Sequence, residues 1–300
     1  MKAMLDIWPP LPIVIGKYCI ETRGVDNIIA ALEHNYRVCE VHLNNISSSR
    51  FEKILAVMQQ PFPALTCLKL WSRDRKEPVV PTCSSFLGGS APCLQSLYLE
   101  GISFPGLPKL LLSATHLVHL DLWGIPYSGF IPPDVMVTSL SVLTRLETLV
   151  IMFDSPDSPR NYPDWKSRHP PLQTRTLLPV LTWFQFHGVD DYLEYLVARI
   201  DVPQLSDLEI TFYPQLVFNT PQLIHFISRT PKLKKQDKIR IFLSVSRIKI
   251  RVPQTLDGNL KMGIESSGMP SDWHLLPCGG GLQLVIPSDF HSSGGTALHS

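Results

Sequence analysis

The reactive side chains of this 300-residue sequence do not stand at spacings that support covalent or metal chemistry. Six cysteines (Cys19, Cys39, Cys67, Cys83, Cys93 and Cys278) form no C-x-x-C pair, so no pair has metal-ligand spacing and they read as reduced thiols. A G-x-S-x-G elbow, a phosphate-cradling loop, an H-E-x-x-H helix and a dinucleotide fingerprint are all missing. Asp190-Asp191 precedes a helical stretch and reads as its cap. His116 and His119 lie beside a strand-like run and read as surface residues. No catalytic residue, metal or cofactor is expected, and the chain is read as non-enzymatic. Ser155-Pro156 and Ser158-Pro159 are candidate proline-directed phosphorylation sites, against the plain alternative that Ser-Pro punctuates a loop. The stronger signal is non-covalent. Trp71, Glu100 and Trp123 recur at one phase of an internal repeat, with Tyr98 and Asp121 at the phase two residues earlier, and exposed Trp and Tyr around a charged group is the composition of a protein-binding hot spot. The alternative is that these aromatics pack on flanking loops. Tyr162 and Trp165 form a second candidate, in a loop.

The elements that must position these residues follow from one pattern: apolar, two residues, apolar, one residue, apolar. It begins at Val38, Leu65, Leu94, Leu117, Leu146, Leu181 and Leu205, with starts 27, 29, 23, 29, 35 and 24 residues apart. A weaker copy precedes them at Leu11, Ile13 and Ile15. This is the L-x-x-L-x-L signature of leucine-rich repeats, whose period is about 20–29 residues. In each copy the third, fifth and seventh residues point away from the core, because side chains alternate along a strand. The seventh column reads Asn44, Trp71, Glu100, Trp123, Met152, His187, Thr211, which sets Glu100 between two tryptophans.

The return segments at 25–34, 51–58, 192–200 and 222–228 carry apolar residues at helical spacing. The asparagine that regular repeats place at the ninth position is replaced throughout, so the repeats are irregular. The 35-residue interval holds a proline-rich insertion at about 154–176. The expected fold is α/β: an irregular leucine-rich-repeat solenoid over 1–236, with a parallel concave sheet and helices on the convex side. A small strand-rich extension at 237–276 follows, where apolar residues alternate at period two. A patternless, disordered tail is expected at 277–300.

Lys plus Arg total 27 against 26 Asp plus Glu, so a net charge of +1 offers no field for nucleic acid or an anionic membrane. The apolar run at 11–15 is broken by Pro12 and preceded by Asp6, unlike a signal peptide. No stretch nears the ~20 apolar residues of a membrane helix. A cytoplasmic or nuclear location is expected.

Four stretches carry a resemblance: LDIWPPLPIVI at 5–15, FLGGSAPCLQSLYLEGISFPGLPKLLLSATHLVHLDLWGIP at 86–126, LVARIDVPQLSDLEITF at 196–212 and TPQLIHFISRTPKL at 220–233. Through them the chain resembles the fungal family of F-box domain-containing proteins with irregular leucine-rich repeats, over roughly residues 1–275. The resemblance implies the substrate-recognition region of an F-box subunit of a cullin–RING ubiquitin ligase, with a protein substrate on the concave face. The F-box of such proteins precedes the first repeat and grips a Skp-type adaptor, so that partner is expected only where an upstream F-box exists. Two other readings stay open: a stand-alone repeat scaffold, and a truncated gene product without ligase association.

Overall fold

Each apolar-alternating run forms a strand with one buried side, and neighbouring strands pair at equal repeat phase. The computed structural model describes residues 11–18, 22–72, 86–154, 175–213, 217–234, 240–244, 247–252, 264–266, 274–278 and 281–285. Its main sheet runs β1 (Ile13–Tyr18), β2 (Val38–Ile46), β3 (Cys67–Ser72), β4 (Ser96–Glu100), β5 (His119–Ile125), β6 (Thr148–Phe153), β8 (Trp183–Gly188) and β10 (Asp207–Phe212), all parallel. One register row crosses all eight: Ile15, Val41, Leu68, Leu97, Leu120, Leu149, Phe184 and Leu208. Every member of that row is buried.

A turn precedes most of these strands. Phe62, Ala91, Ala114, Leu143, Leu178 and Val202 each accept a backbone bond from the leucine three residues on. All six are buried. Backbone N–H groups of Thr66, Gln95, Val118, Glu147, Thr182 and Ser206 then donate to the carbonyl at the same phase of the preceding strand, at 2.8–3.0 Å. This main-chain ladder, reinforced by the Thr66, Thr182 and Ser206 hydroxyls, ties the start of each strand to the repeat before it.

The helices are α1 (Thr22–Leu32), α2 (Ser48–Val57), α3 (Leu107–Ser113), α4 (Pro133–Leu140), α5 (Asp190–Arg199), α6 (Pro221–Arg229) and α7 (Pro231–Lys234). They put Ile54, Leu110, Met136, Leu196 and Phe226 into one core with the strand leucines. The chain is thus α/β, an eight-stranded parallel sheet flanked by helices. Between β3 and β4 the described connection is a short 3-10 turn, Phe86–Gly89. No helix among the described residues is long and apolar enough to cross a membrane.

The main sheet continues across residue 236, where the sequence suggests a boundary. β13 (Arg247–Val252) pairs antiparallel with β10, then β12 (Arg240–Ser244) and β14 (Ile264–Ser266) follow. β7 (Thr176–Leu177) pairs with β9 (Ile200–Asp201). β11 (Val217–Asn219), β16 (Gly281–Val285) and β15 (His274–Cys278) make a separate three-stranded sheet. β16 falls inside the tail expected to lack order: its short alternating stretch gains a ladder on both sides, from β15 and β11. Residues 286–300 and most of the 154–176 insertion lie outside the described residues.

Candidate protein-binding face

The strand leucines all point to the helical side, so the alternate residues line the opposite face. On β2 to β5 those residues are partly or fully exposed. Farther along, Val150 and Glu209 of the fifth column are buried. The other outward residues of β6, β8 and β10 (Thr148, Met152, Trp183, Gln185, His187, Asp207 and Thr211) are partly exposed, so the face is open along most of its length.

Backbone register fixes the group. Trp71 of β3 pairs with Glu100 of β4, which pairs with Trp123 of β5. One row down, Lys69, Tyr98 and Asp121 pair in the same order. Five sequence-selected residues (Trp71, Tyr98, Glu100, Asp121 and Trp123) thus come together on three adjacent strands, each half-buried. The tryptophan row is short. Pairing of β2 with β3 shifts after Leu43, and pairing of β5 with β6 shifts after Leu122. Asn45 and Gly124 stand at these shifts with φ of 57° and 55°, the left-handed region that glycine and asparagine enter most readily. Asn44 and Met152 therefore do not continue the row.

Contacts within the group are specific. The Tyr98 hydroxyl donates to Glu100 Oε2. The Tyr98 and Trp123 rings stack with centroids 6.4 Å apart and 29° between planes. Burial pushes the Asp121 carboxyl above its ordinary range, and the charges of His119 and Lys69 draw it part of the way back. Burial likewise raises the Cys67 thiol, against a hydrogen bond with Ser96 and the pull of Lys69. At the rim His42 Nε2 lies 3.3 Å from Glu40, and His119 Nδ1 lies 2.7 Å from Thr148 Oγ1. Among the described residues no group of three His, Cys, Asp or Glu side chains is placed to hold a metal ion.

The second candidate, Tyr162 and Trp165, and the serines Ser155 and Ser158 lie outside the described residues. Two polar nodes were not singled out from the sequence. Arg229 donates to Asp201 Oδ1 at 3.1 Å and to the carbonyls of Val197 and Ile200, tying α6 to the end of α5. Glu194 of α5 accepts the backbone N–H groups of Gln222 and Leu223 at 2.7 and 2.9 Å. Neither has a local sequence signal, because the partners are 28 to 32 residues apart. Asp190-Asp191 occupies the first turn of α5 rather than its N-cap position, which is Val189. Comparison with protein-family models, with curated proteins and with solved structures finds no match to the chain.

Proposed function

We propose that the chain is a non-catalytic protein-binding module, an irregular leucine-rich-repeat solenoid that takes its partner on the sheet face opposite the helices. The observation that carries this reading is the in-register row Trp71–Glu100–Trp123 with Tyr98 packed beneath it. Two indoles and a phenol supply most of the contact area of a hot spot, at low entropy cost because each has only two rotatable bonds. The strand backbones hold them in place before any partner arrives. The repeat spacing and the four matching stretches support placing the module as the substrate-recognition region of an F-box-type receptor, in the cytoplasm or nucleus. A Skp-type adaptor then enters only through an F-box.

Panning a random peptide library against the full chain tests the module. Peptides selected on the wild type should lose binding to Trp71→Ala and Trp123→Ala while both variants keep the wild-type melting temperature. Equal losses of binding and melting temperature would identify the two indoles as packing residues and sink the reading.

A further inference from the structure

The parallel ladder ends on β1 (Ile13–Tyr18), the first strand in the order of the main sheet, and among the described residues no strand pairs with its outer side. The main-chain groups that face outward can be named. Ile13 donates its N–H to the Arg37 carbonyl, and its own carbonyl accepts from the Cys39 thiol, so its polar groups turn toward β2. Main-chain groups alternate sides along a strand, so those of Ile15 also turn inward, while those of Val14 and Gly16 turn outward. By register with Glu40 and His42, Val14 and Gly16 also belong to the open face of the sheet. Val14 is 60% exposed there, and a Cβ built on Gly16 would meet nothing within 4 Å. Native sheet edges are usually blunted by lysine, proline or a bulge. Pro12 and Lys17 stand just outside the stretch Ile13–Gly16, and the irregularity in its pairing adds Cys39 on the β2 side. The edge itself is left as three β-branched residues and a glycine.

We propose that two copies of the chain pair antiparallel along β1, centred on Ile15, and so join their sheets edge to edge. The register follows from the residues. About Ile15, Val14 of one copy lies opposite Gly16 of the other and exchanges both N–H···O=C bonds with it, and the symmetry repeats the exchange. The valine side chain fills the open space beside the glycine, and the two Ile15 side chains meet on the helical side as a β-branched cross-strand pair. Pairing centred on Val14 would set the two valines against each other and put Pro12, which has no N–H, opposite Gly16. A second copy is favoured over a foreign strand because this edge is complementary to itself. The dimer stands independently of the protein-binding reading. It would set both open faces on one side of a joined sheet, with the two β3 strands five strand spacings, about 24 Å, apart. Such a pair would hold a partner bivalently.

Sedimentation velocity of the full chain at about 1–100 μM tests the pairing, and the mass should rise with concentration from monomer toward dimer. Val14→Pro removes an outward N–H and spares the β2 ladder, since proline is tolerated where an edge strand's N–H faces solvent. Val14→Lys instead places a charge on the edge. Both should raise the dimer dissociation constant about ten-fold or more, while melting like the wild type at the lowest concentration. Copies carrying Val14→Cys mixed with copies carrying Gly16→Cys should form a mixed disulfide dimer on oxidation, because the Cα atoms of such a pair stand about 5.5 Å apart. Neither cysteine variant alone should cross-link above the wild-type level. A chain that stays monomeric throughout, self-association indifferent to both Val14 variants, or a cross-link within one cysteine variant alone overturns the pairing. Panned peptides that bind the monomer and are lost on Val14→Pro would assign the edge to a foreign strand and overturn it as well.

Discussion

Glu194→Ala should loosen the docking of α6 on α5 by an amount that the geometry sets. Thr220 holds the N-cap position of α6 but makes no side-chain cap bond, and Pro221 has no N–H to donate. The first helical donors needing a partner are Gln222 and Leu223, and both find it in the Glu194 carboxylate. Glu194 thus acts as an N-cap supplied from the neighbouring helix. Losing a cap costs about 1 kcal/mol, within a range of about 0.5–2. That loss corresponds to a fall of roughly 1–8 °C in melting temperature for a domain of this size. Glu194→Gln keeps one acceptor oxygen and should fall less. The pH dependence adds a second constraint. Burial raises the Glu194 carboxyl above its ordinary range, the two backbone N–H groups pull it down, and Asp190 and Asp191 raise it further. With the folded value raised, the unfolded chain releases its proton first, so this group's contribution declines as pH rises through the carboxylate range. The wild type should therefore gain on Glu194→Gln as the pH is lowered from neutral, read by far-UV circular dichroism melts at a series of pH values. An alanine variant that melts with the wild type, or a glutamine variant as damaged as alanine at every pH, would refute the capping argument.

Three further outcomes follow from burial. Leu120→Ala, in the middle of the eight-strand leucine row and fully buried, should cost about 2–5 kcal/mol in urea melts at unchanged m. Leu112→Ala, on the outer side of α3 and 45% exposed, should stay within about 0.5 kcal/mol. Asp121→Asn should raise the melting temperature at neutral pH. Burial holds the Asp121 carboxyl above its ordinary range, so ionising it disfavours the folded state once the pH passes the unfolded value. The advantage of the asparagine should shrink as acidification protonates the native aspartate. An Asp121→Asn variant less stable than wild type at neutral pH would contradict that sign.

The strands and their shared phase were legible because alternation and repeat spacing are both written in residue types. Leu68, Leu97, Leu120 and Leu149 sit at equal phase in the sequence and pair in the sheet. The turn before each strand was also legible in principle. A buried apolar residue stands three places ahead of the first leucine, as in Phe62-Pro63-Ala64-Leu65 and Val202-Pro203-Gln204-Leu205. The pairing of β13 on β10 was not legible: alternation in Arg247–Val252 announces a strand but not its neighbour, and the antiparallel register Glu209–Arg251 depends on how the chain returns. Glu194 and Arg229 were invisible for the same reason, since both bond backbone in other repeats.

The site's row is shaped by backbone as much as by side chains. Left-handed residues at Asn45 and Gly124 shift the pairing on its two flanks, so the row Trp71–Glu100–Trp123 is cut off from Asn44 and from the aligned Met152, His187 and Thr211 that follow. The fifth column, one row nearer the strand starts, pairs without a break from His42 through Asp121 to Glu209. The aromatic row therefore rests on a continuous ladder while its own ends are cut free, and it can change its residues without disturbing the leucines behind the sheet. Asp121 lies in that continuous ladder. Packing alone gives no reason for a carboxylate there, because burial disfavours its charge. An asparagine would fill the same volume and avoid the desolvation.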